Sequence, residues 1–273
     1  MRIITQSWPL RDQDSEPGQI RIQESGFRIQ EEPAFCNTRR MDVLVVDIGG
    51  TQVKMRTSAA AETRRFTSAA DLGPAALVEQ ALQRSSDWQY QAVAIGFPGQ
   101  VGDNCPVAEP GNLGTGWVGF DFERAFGKPV RVVNDAVLQA LGAYDAGRML
   151  FIGLGTGVGS ALVTEHVLVP LELGNLPHPA GGTIFEWLGR DALKRLGTHA
   201  WRVALSDVVP ILRDALSADY VVIGGGNAKK VDPLPANTRR GGNADAFTGG
   251  FRLWEETVEP HDRAPAKVWR VVR

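Results

Sequence analysis

Residues 149–159 have the sequence MLFIGLGTGVG, an apolar run that passes into glycines at every second position around one threonine. The apolar run predicts a buried strand, and the glycines predict a tight turn with accessible backbone N–H groups. Residues 43–51 follow the same order in VLVVDIGGT. One such strand–turn unit in each half predicts an α/β protein whose two glycine turns face one cleft.

The rest of the middle of the chain alternates between strand and helix patterns. The stretch over 74–84 starts at a proline, which suits the first turn of a helix. Strands are predicted over 52–56, 62–67, 92–95, 130–133, 160–163 and 220–223. Helices are predicted over 74–84, 136–144, 184–196, 202–216 and 246–255.

The composition excludes several classes of protein. The chain has 273 residues, 43% of them hydrophobic and 22% charged, which is ordinary for a globular protein with a sizeable core. Its 29 basic and 31 acidic side chains argue against a nucleic-acid binder. No apolar run approaches the about 18 residues that span a bilayer. With two cysteines and no secretory signal, we expect a cytoplasmic protein without a disulfide scaffold.

The two ends of the chain differ from its middle. Apolar and polar side chains alternate over 20–30, which predicts a small hairpin, whereas the composition of the whole leader favours disorder. Met41 directly precedes the first strong strand and is a candidate for the true start. We expect the polar, proline-interrupted tail to be loosely held. The expected division is a leader over 1–40, an N-terminal lobe over 41–133, a C-terminal lobe over 134–256 and a tail over 257–273.

The turn Asp47–Thr51 has features of an anion-binding loop. Its glycines let backbone N–H groups approach an anionic oxygen, and Thr51 adds a hydroxyl donor. The carboxylate of Asp47 suits such a loop if a cation such as Mg²⁺ mediates. The alternative is an ordinary hairpin turn that uses aspartate as a turn former.

The glycine turn Gly153–Gly159 does not match two well-known phosphate motifs. A strand rather than a helix follows it, which excludes the dinucleotide-binding fingerprint, and no Gly-Lys-Ser/Thr follows, which excludes a Walker loop. A turn between paired strands can still hold a phosphate, and a plain glycine turn is the alternative.

The pair Asn134–Asp135 lies between a predicted strand and a predicted helix. A carboxylate there stands at the strand end where α/β folds bind ligands. Asparagine and aspartate are also the favoured residues at a helix N-cap. The local sequence does not separate a catalytic base from a cap.

Taken together, Asp47–Thr51, Gly153–Gly159 and Gly224–Asn227 resemble the phosphate-1, phosphate-2 and adenosine segments of the actin/hexokinase/Hsp70 superfamily. The chain further resembles the ROK sugar kinases, and among them the polyphosphate glucokinases. This narrower resemblance rests on Asn112–Trp117, Gly224–Lys230 and Gly249–Glu255. It covers 41–256 and implies a two-lobed actin-like ATPase (ribonuclease H-like) fold with a central cleft.

The resemblance implies transfer of a phosphoryl group from polyphosphate and/or ATP to the 6-hydroxyl of glucose or a related hexose. Asp135 would accept the hydroxyl proton, and Asp47 would hold Mg²⁺ through water. The implied phosphate contacts are Gly49, Gly50, Thr51, Lys54, Gly155, Thr156 and Gly157. The implied nucleotide contacts are Gly224, Gly225, Gly226 and Asn227. The implied sugar contacts are Asn112, Asn134, Asp135, Glu172, Asn175 and Glu186.

Some of these positions have a second explanation or depart from the family pattern. Glu186 also suits the first turn of a helix, where the helix dipole favours an acid. Asn175 stands where the family usually has histidine, which leaves the preferred hexose open. No cysteine occurs over 176–190, so we expect no structural zinc. Lys229 and Lys230 could follow a long polyanion or be ordinary solvated lysines.

Three other functions compete with a glucokinase. One is an ATP-dependent ROK kinase for another hexose, such as mannose or fructose. Another is a sugar-sensing regulator, although residues 1–40 are too short and too little helical for a helix-turn-helix. The third is an inactive sugar-binding protein, against which the intact Asp135 argues. The resemblance suggests a homodimer, and we expect neither nucleic-acid nor membrane partners.

Overall fold

A computed structural model describes residues 41–164, 167–242 and 244–255, together with the backbone of 269–270. Backbone contacts divide the chain into Met1–Arg39 and Arg40–Arg273, and all described residues lie in the second unit. The hairpin predicted over 20–30 lies outside the described residues. The boundary between the two lobes stays a prediction.

The observed elements follow the predicted alternation. The strands in chain order are β1 (Val43–Ile48), β2 (Gln52–Thr57), β3 (Arg64–Thr67), β4 (Ala92–Phe97), β5 (Val101–Gly102), β6 (Cys105–Pro106), β7 (Val130–Asn134), β8 (Met149–Leu154), β9 (Val158–Thr164), β10 (Val167–Leu171), β11 (Tyr220–Gly224), β12 (Thr238–Arg240) and β13 (Trp269–Arg270). The α-helices are α1 (Pro74–Arg84), α2 (Phe122–Phe126), α3 (Asp135–Ala143), α4 (Ile184–Leu188), α5 (Arg190–Ala215) and α6 (Asp245–Arg252). None of these helices is long and apolar enough to cross a membrane.

The first sheet has the strand order β3-β2-β1-β4-β7. Strand β1 pairs antiparallel with β2, while β1, β4 and β7 run parallel to one another. Every residue of β1 and β4 is buried, as the continuous apolar runs predict for central parallel strands. The sheet therefore brings the carboxyl ends of three parallel strands to one edge.

The second sheet has the order β12-β11-β8-β9-β10-β13. Strands β8 and β9 form the predicted antiparallel hairpin, and β11 runs parallel to β8. At the far edge, Trp269–Arg270 pairs with Val167–Leu168. The expectation of a loosely held tail is therefore wrong for these two residues, which are held by strand pairing.

The helix predicted over 184–196 is wrong as a single element. Gly189 has an extended backbone, with φ −66° and ψ 170°, and ends α4. The next N–H, that of Arg190, donates to Thr156 O at 3.3 Å instead of continuing the helix. A second break occurs inside α5 at Gly197, whose φ of 75° favours glycine. The last predicted helix, 246–255, ends at Arg252.

Helices α3 and α6 cross without a side chain between them. A Cβ on Gly142 would overlap the carbonyl of Asp245, and a Cβ on Gly249 would overlap the carbonyl of Leu138. The guanidinium of Arg252 then donates to three carbonyl oxygens at the end of α3, including that of Tyr144 at 2.8 Å. Backbone contact and a side-chain cap together fix α6 on α3.

Replacing Gly249 by alanine should lower the free energy of unfolding by about 2–3 kcal/mol, because the added methyl group meets backbone that cannot move aside. Helix propensity alone predicts the opposite sign, since alanine is favoured over glycine by about 1 kcal/mol. Urea unfolding followed by circular dichroism measures the difference. Gly111→Ala is the control, because the space around Gly111 is open. Unchanged or increased stability of Gly249→Ala would contradict the tight crossing.

Candidate active site

Two carboxylates lie near each other at the edge formed by β1, β4 and β7. In the register of the sheet, Asp47 pairs with Gly96, and Gly96 pairs with Val133, two residues before Asp135. A Cβ on Gly96 would lie 3.5 Å from Asp47 Oδ1 and 3.6 Å from the Cα of Asp135. The nearest atom to that Cβ would be Leu138 Cδ2 at 2.8 Å, so glycine at this position keeps a further side chain out of the space where Leu138 and the two acids meet.

Asp135 has the electrostatic character of a base that works near neutral pH. Burial, the charge of Asp47 and the charge of Glu172 raise the pKa of Asp135 to about 7, while the N–H of Ala136 opposes the rise. That N–H donates to Asp135 Oδ1 at 2.8 Å. A carboxylate with such a pKa can both accept and release a proton around pH 7.

Asp47 is 8% exposed at the end of β1. Burial raises its pKa, and the charge of Lys54 on the neighbouring strand β2 partly opposes this. A buried carboxylate favours a nearby cation. Asp47 therefore fits the role of holding Mg²⁺ through water, since Mg²⁺ in phosphate sites keeps several waters and takes few carboxylates.

The two glycine turns meet, as the sequence predicts. A Cβ on Gly50 would lie 2.5 Å from Thr156 Oγ1 and 3.0 Å from Asn112 Nδ2. Both turns and the Asn112 segment thus converge at Gly50. This convergence requires glycine, because any side chain there would separate the three segments.

Sequence reasoning missed Ser68, which braces the first turn. Its hydroxyl donates to Gly49 O at 2.6 Å, and its N–H donates to Thr51 O at 3.0 Å. Within the turn, the N–H of Gly49 donates to Gln52 O at 3.1 Å. Ser68 follows β3, and no local motif in the sequence singles it out.

The adenosine-like segment lies against the second glycine turn. Gly225 has a φ of 80°, and a Cβ there would lie 2.6 Å from Leu154 O. The Asn227 N–H donates to the same Leu154 oxygen at 2.9 Å, and Asn227 Nδ2 donates to Gly155 O at 3.4 Å. The segments predicted to bind a nucleotide and its phosphates are therefore contiguous, while Lys229 and Lys230 just beyond are exposed.

The predicted sugar contacts divide into two groups. Asn134 caps α3: its Oδ1 accepts from Ala136 N at 2.9 Å, and its Nδ2 donates to Gly99 O at 3.0 Å. Glu186 is exposed and forms a capping box with Thr183, whose N–H donates to Glu186 Oε2 at 2.7 Å. These hydrogen bonds hold helix ends, so a sugar role for either residue is left without support from its contacts.

The second group is Glu172 and Asn175, in the turn after β10. The other two candidates, Asn112 and Asp135, lie at Gly50 and near Asp47, as described above. Glu172 is accessible to solvent, yet the protein around its carboxyl group raises its pKa, and its charge reaches Asp135. Asn175 is exposed at the end of a single 3₁₀ turn, Leu173–Asn175. His178 is buried and stacked on Trp187 of α4 with ring centroids 4.4 Å apart, so it packs against that helix.

Residues 43–176 match the profile of the ROK family. The chain contains a ROK family domain. Among curated proteins, the bifunctional enzyme NanE/NanK of Brucella melitensis is 33% identical over 135 residues, and polyphosphate glucokinase of Mycobacterium tuberculosis is 26% identical over 156 residues. The matches cover 44% and 51% of this chain, but 26% and 58% of those two proteins.

Solved structures share the fold of this chain. Inorganic polyphosphate/ATP-glucomannokinase from Arthrobacter has a TM-score of 0.69 at 24% identity, over 78% of this chain and 98% of its own. A ROK family glucokinase from Streptomyces griseus, solved with glucose and AMPPNP, has a TM-score of 0.62 at 16% identity, over 78% of this chain and 98% of its own. A ROK family transcriptional regulator has a TM-score of 0.62 at 12% identity, over 80% of this chain and 78% of its own. The expected two-lobed actin-like α/β fold is confirmed.

No group of three or more His, Cys, Asp or Glu side chains that could hold a metal ion occurs within the part of the chain that the structure describes. A site in which one carboxylate shares the cation with substrate phosphates would not form such a group. The metal role of Asp47 and the expected absence of zinc both stay predictions.

Asp135→Asn should stabilise the folded protein at pH 8 by about 2–4 kcal/mol. The folded state of the wild type holds a proton on Asp135 up to about pH 7, whereas an unfolded aspartate loses it near pH 4. The wild type therefore loses stability relative to the variant as pH rises between these values. Urea unfolding at pH 4 and pH 8 measures this. The control is Asp207→Asn, at an exposed site on α5. The raised pKa would be refuted if the difference in unfolding free energy between Asp135→Asn and the wild type did not depend on pH, or if Asp207→Asn gave the same difference.

Proposed function

We propose that this protein is a sugar kinase that transfers a phosphoryl group to the 6-hydroxyl of a hexose, with glucose as the first candidate. The observation that carries the proposal is the placement of Asp135, with a pKa of about 7, at the strand edge it shares with Asp47. The two glycine turns meet close by at Gly50. A base and an anion cradle in one cleft are what phosphoryl transfer to an alcohol requires.

In the proposed reaction, Asp135 accepts the proton of the sugar hydroxyl as the sugar oxygen bonds to the terminal phosphorus of the donor. The bond from that phosphorus to the bridging oxygen breaks, and the shortened donor leaves. Backbone N–H groups of the two turns and the Thr156 hydroxyl orient the phosphates. Mg²⁺, held through water by Asp47, would neutralise charge on the phosphates.

The acceptor is proposed to lie between Asp135 and the two polar segments near it. Asn112 reaches Gly50, and Glu172 is close enough for its charge to raise the pKa of Asp135. Amide and carboxylate groups are suited to recognising sugar hydroxyls. These contacts support a polyol as the acceptor, and mannose or fructose remain alternatives to glucose.

Both phosphoryl donors remain part of the proposal. The packing of Asn227 on Gly155 supports a nucleotide beside the phosphates, whereas exposed Lys229 and Lys230 support a longer polyanion. The names of the Mycobacterium tuberculosis and Arthrobacter proteins include polyphosphate. Initial rates with ATP and with polyphosphate, over glucose, mannose and fructose, assign donor and acceptor.

A sugar-sensing regulator is the competing function, because a transcriptional regulator has the same fold. The raised pKa of Asp135 favours the kinase, since burying two acids together costs stability and a sensor has no need of a base.

We propose a cytoplasmic homodimer as the form of the enzyme.

Asp135→Asn should lower turnover by about 10²–10⁴-fold, the usual contribution of a general base, while glucose affinity changes little. The amide keeps the shape of the side chain but accepts a proton far less well. Coupled assays give turnover, and calorimetry gives glucose affinity. Asp207→Asn, at an exposed site, is the control. Turnover within tenfold of the wild type would refute the role of Asp135.

Asn175→His should lower the Michaelis constant for glucose by about 5–30-fold and leave turnover similar, because the longer side chain restores a hydrogen bond to a sugar hydroxyl. Discrimination against mannose should sharpen with it. Steady-state kinetics with both sugars measure the effect. An unchanged constant for glucose would mean that Asn175 does not contact the sugar.

A further inference from the structure

Phe185 is a large apolar side chain with no evident reason to be at the surface. It lies in α4 and is 49% exposed. The edge of its ring lies over the second glycine turn: a Cβ on Gly157 would be 3.2 Å from Phe185 Cε2. A Cβ on Gly174, in the turn that carries Glu172 and Asn175, would be 3.6 Å from Phe185 Cβ. Phe185 thus joins the turn assigned to the donor to the turn assigned to the sugar.

The position of Phe185 is fixed from both ends of its helix. At the start of α4, the Thr183 and Glu186 side chains bond reciprocally to each other's N–H groups. At its end, the N–H of Gly189 donates to Phe185 O at 2.9 Å. A second exposed apolar side chain, Leu176 at 43%, is tied to α4 because Ile184 N donates to Leu176 O at 2.9 Å. Phe185 and Leu176, which we call the apolar lip, are therefore two exposed apolar side chains on segments held in place by hydrogen bonds.

The apolar lip matters because every sugar kinase must keep water from reacting with the phosphoryl donor. Water can replace the sugar hydroxyl as acceptor, and a base poised near pH 7 would take a proton from either. An aromatic ring beside the phosphate turn offers water no hydrogen-bond partner and fills space next to Gly157 that water would otherwise enter. Excluding water from the site in this way separates transfer from wasteful hydrolysis.

We infer that Phe185 is a specificity-determining residue that selects the sugar hydroxyl over water as the phosphoryl acceptor. The inference rests on the proposed function. In both reactions, the bond from the terminal phosphorus to the bridging oxygen of the donor breaks. In transfer, the new phosphorus–oxygen bond is to the sugar; in hydrolysis, it is to water, which yields inorganic phosphate. In either case Asp135 accepts the proton of the attacking hydroxyl or water.

The test compares hydrolysis with transfer in Phe185→Ala, Phe185→Leu and the wild type. Transfer is measured as glucose phosphate formed with the donor that the wild type uses, ATP or polyphosphate. Hydrolysis is measured as inorganic phosphate released with 6-deoxyglucose, which fills the sugar site but lacks the accepting hydroxyl. Ile211→Ala removes an equally exposed side chain, 55% exposed on α5, and is the control.

The ratio of hydrolysis to transfer should rise about tenfold in Phe185→Ala and stay within about twofold in Phe185→Leu and Ile211→Ala. A structural role alone would slow both reactions together and leave the ratio unchanged, which would overturn the inference. A higher Michaelis constant for glucose without a change in the ratio would also overturn it, since the ring would then only contact the sugar. If the wild type forms no sugar phosphate with any donor, the proposed function itself fails.

Discussion

Three parallel strand ends lying side by side decide where the two acids of the candidate site lie. Strands β1, β4 and β7 end next to one another, so Asp47 and Asp135 both come close to Gly96. Burial of Asp135, and after it the charge of Asp47, raises the pKa of Asp135 to about 7, so that Asp135 keeps its proton up to about neutral pH. The arrangement costs stability, and the surrounding packing of β1 and β4, which are fully buried, offsets that cost.

The features that could be predicted from the sequence are local. Apolar runs marked β1, β4, β8 and β11, because central strands need apolar side chains on both faces. Pro74 marked the first turn of α1. The two glycine turns could be found because glycine at close spacing serves few other purposes. The sequence marked Asp135 as a candidate but did not separate it from a cap. The structure makes Asn134 the cap and places Asp135 close enough to Asp47 for the charge of Asp47 to raise its pKa.

The features that could not be predicted depend on residues far apart in the chain. Ser68 supports a turn that belongs to another hairpin, and Gly142 matters only because Gly249 crosses it. The break at Gly189 arises because the Arg190 N–H bonds to the second glycine turn rather than to its own helix. Phe185 gave no signal, since an apolar residue in a helix is ordinarily assigned to the core. Partners of this kind leave no periodic pattern in one sequence.

The packing of α6 also sets the order in which the protein can be completed during its synthesis. Gly250 of α6 lies directly against Val45 of β1, so one of the last described segments covers one of the first. At the usual speed of translation, this face of β1 waits on the order of 10–40 s for its cover. Throughout that interval the nascent chain presents an apolar strand, and chaperones at the ribosome would find there a surface that the finished molecule hides.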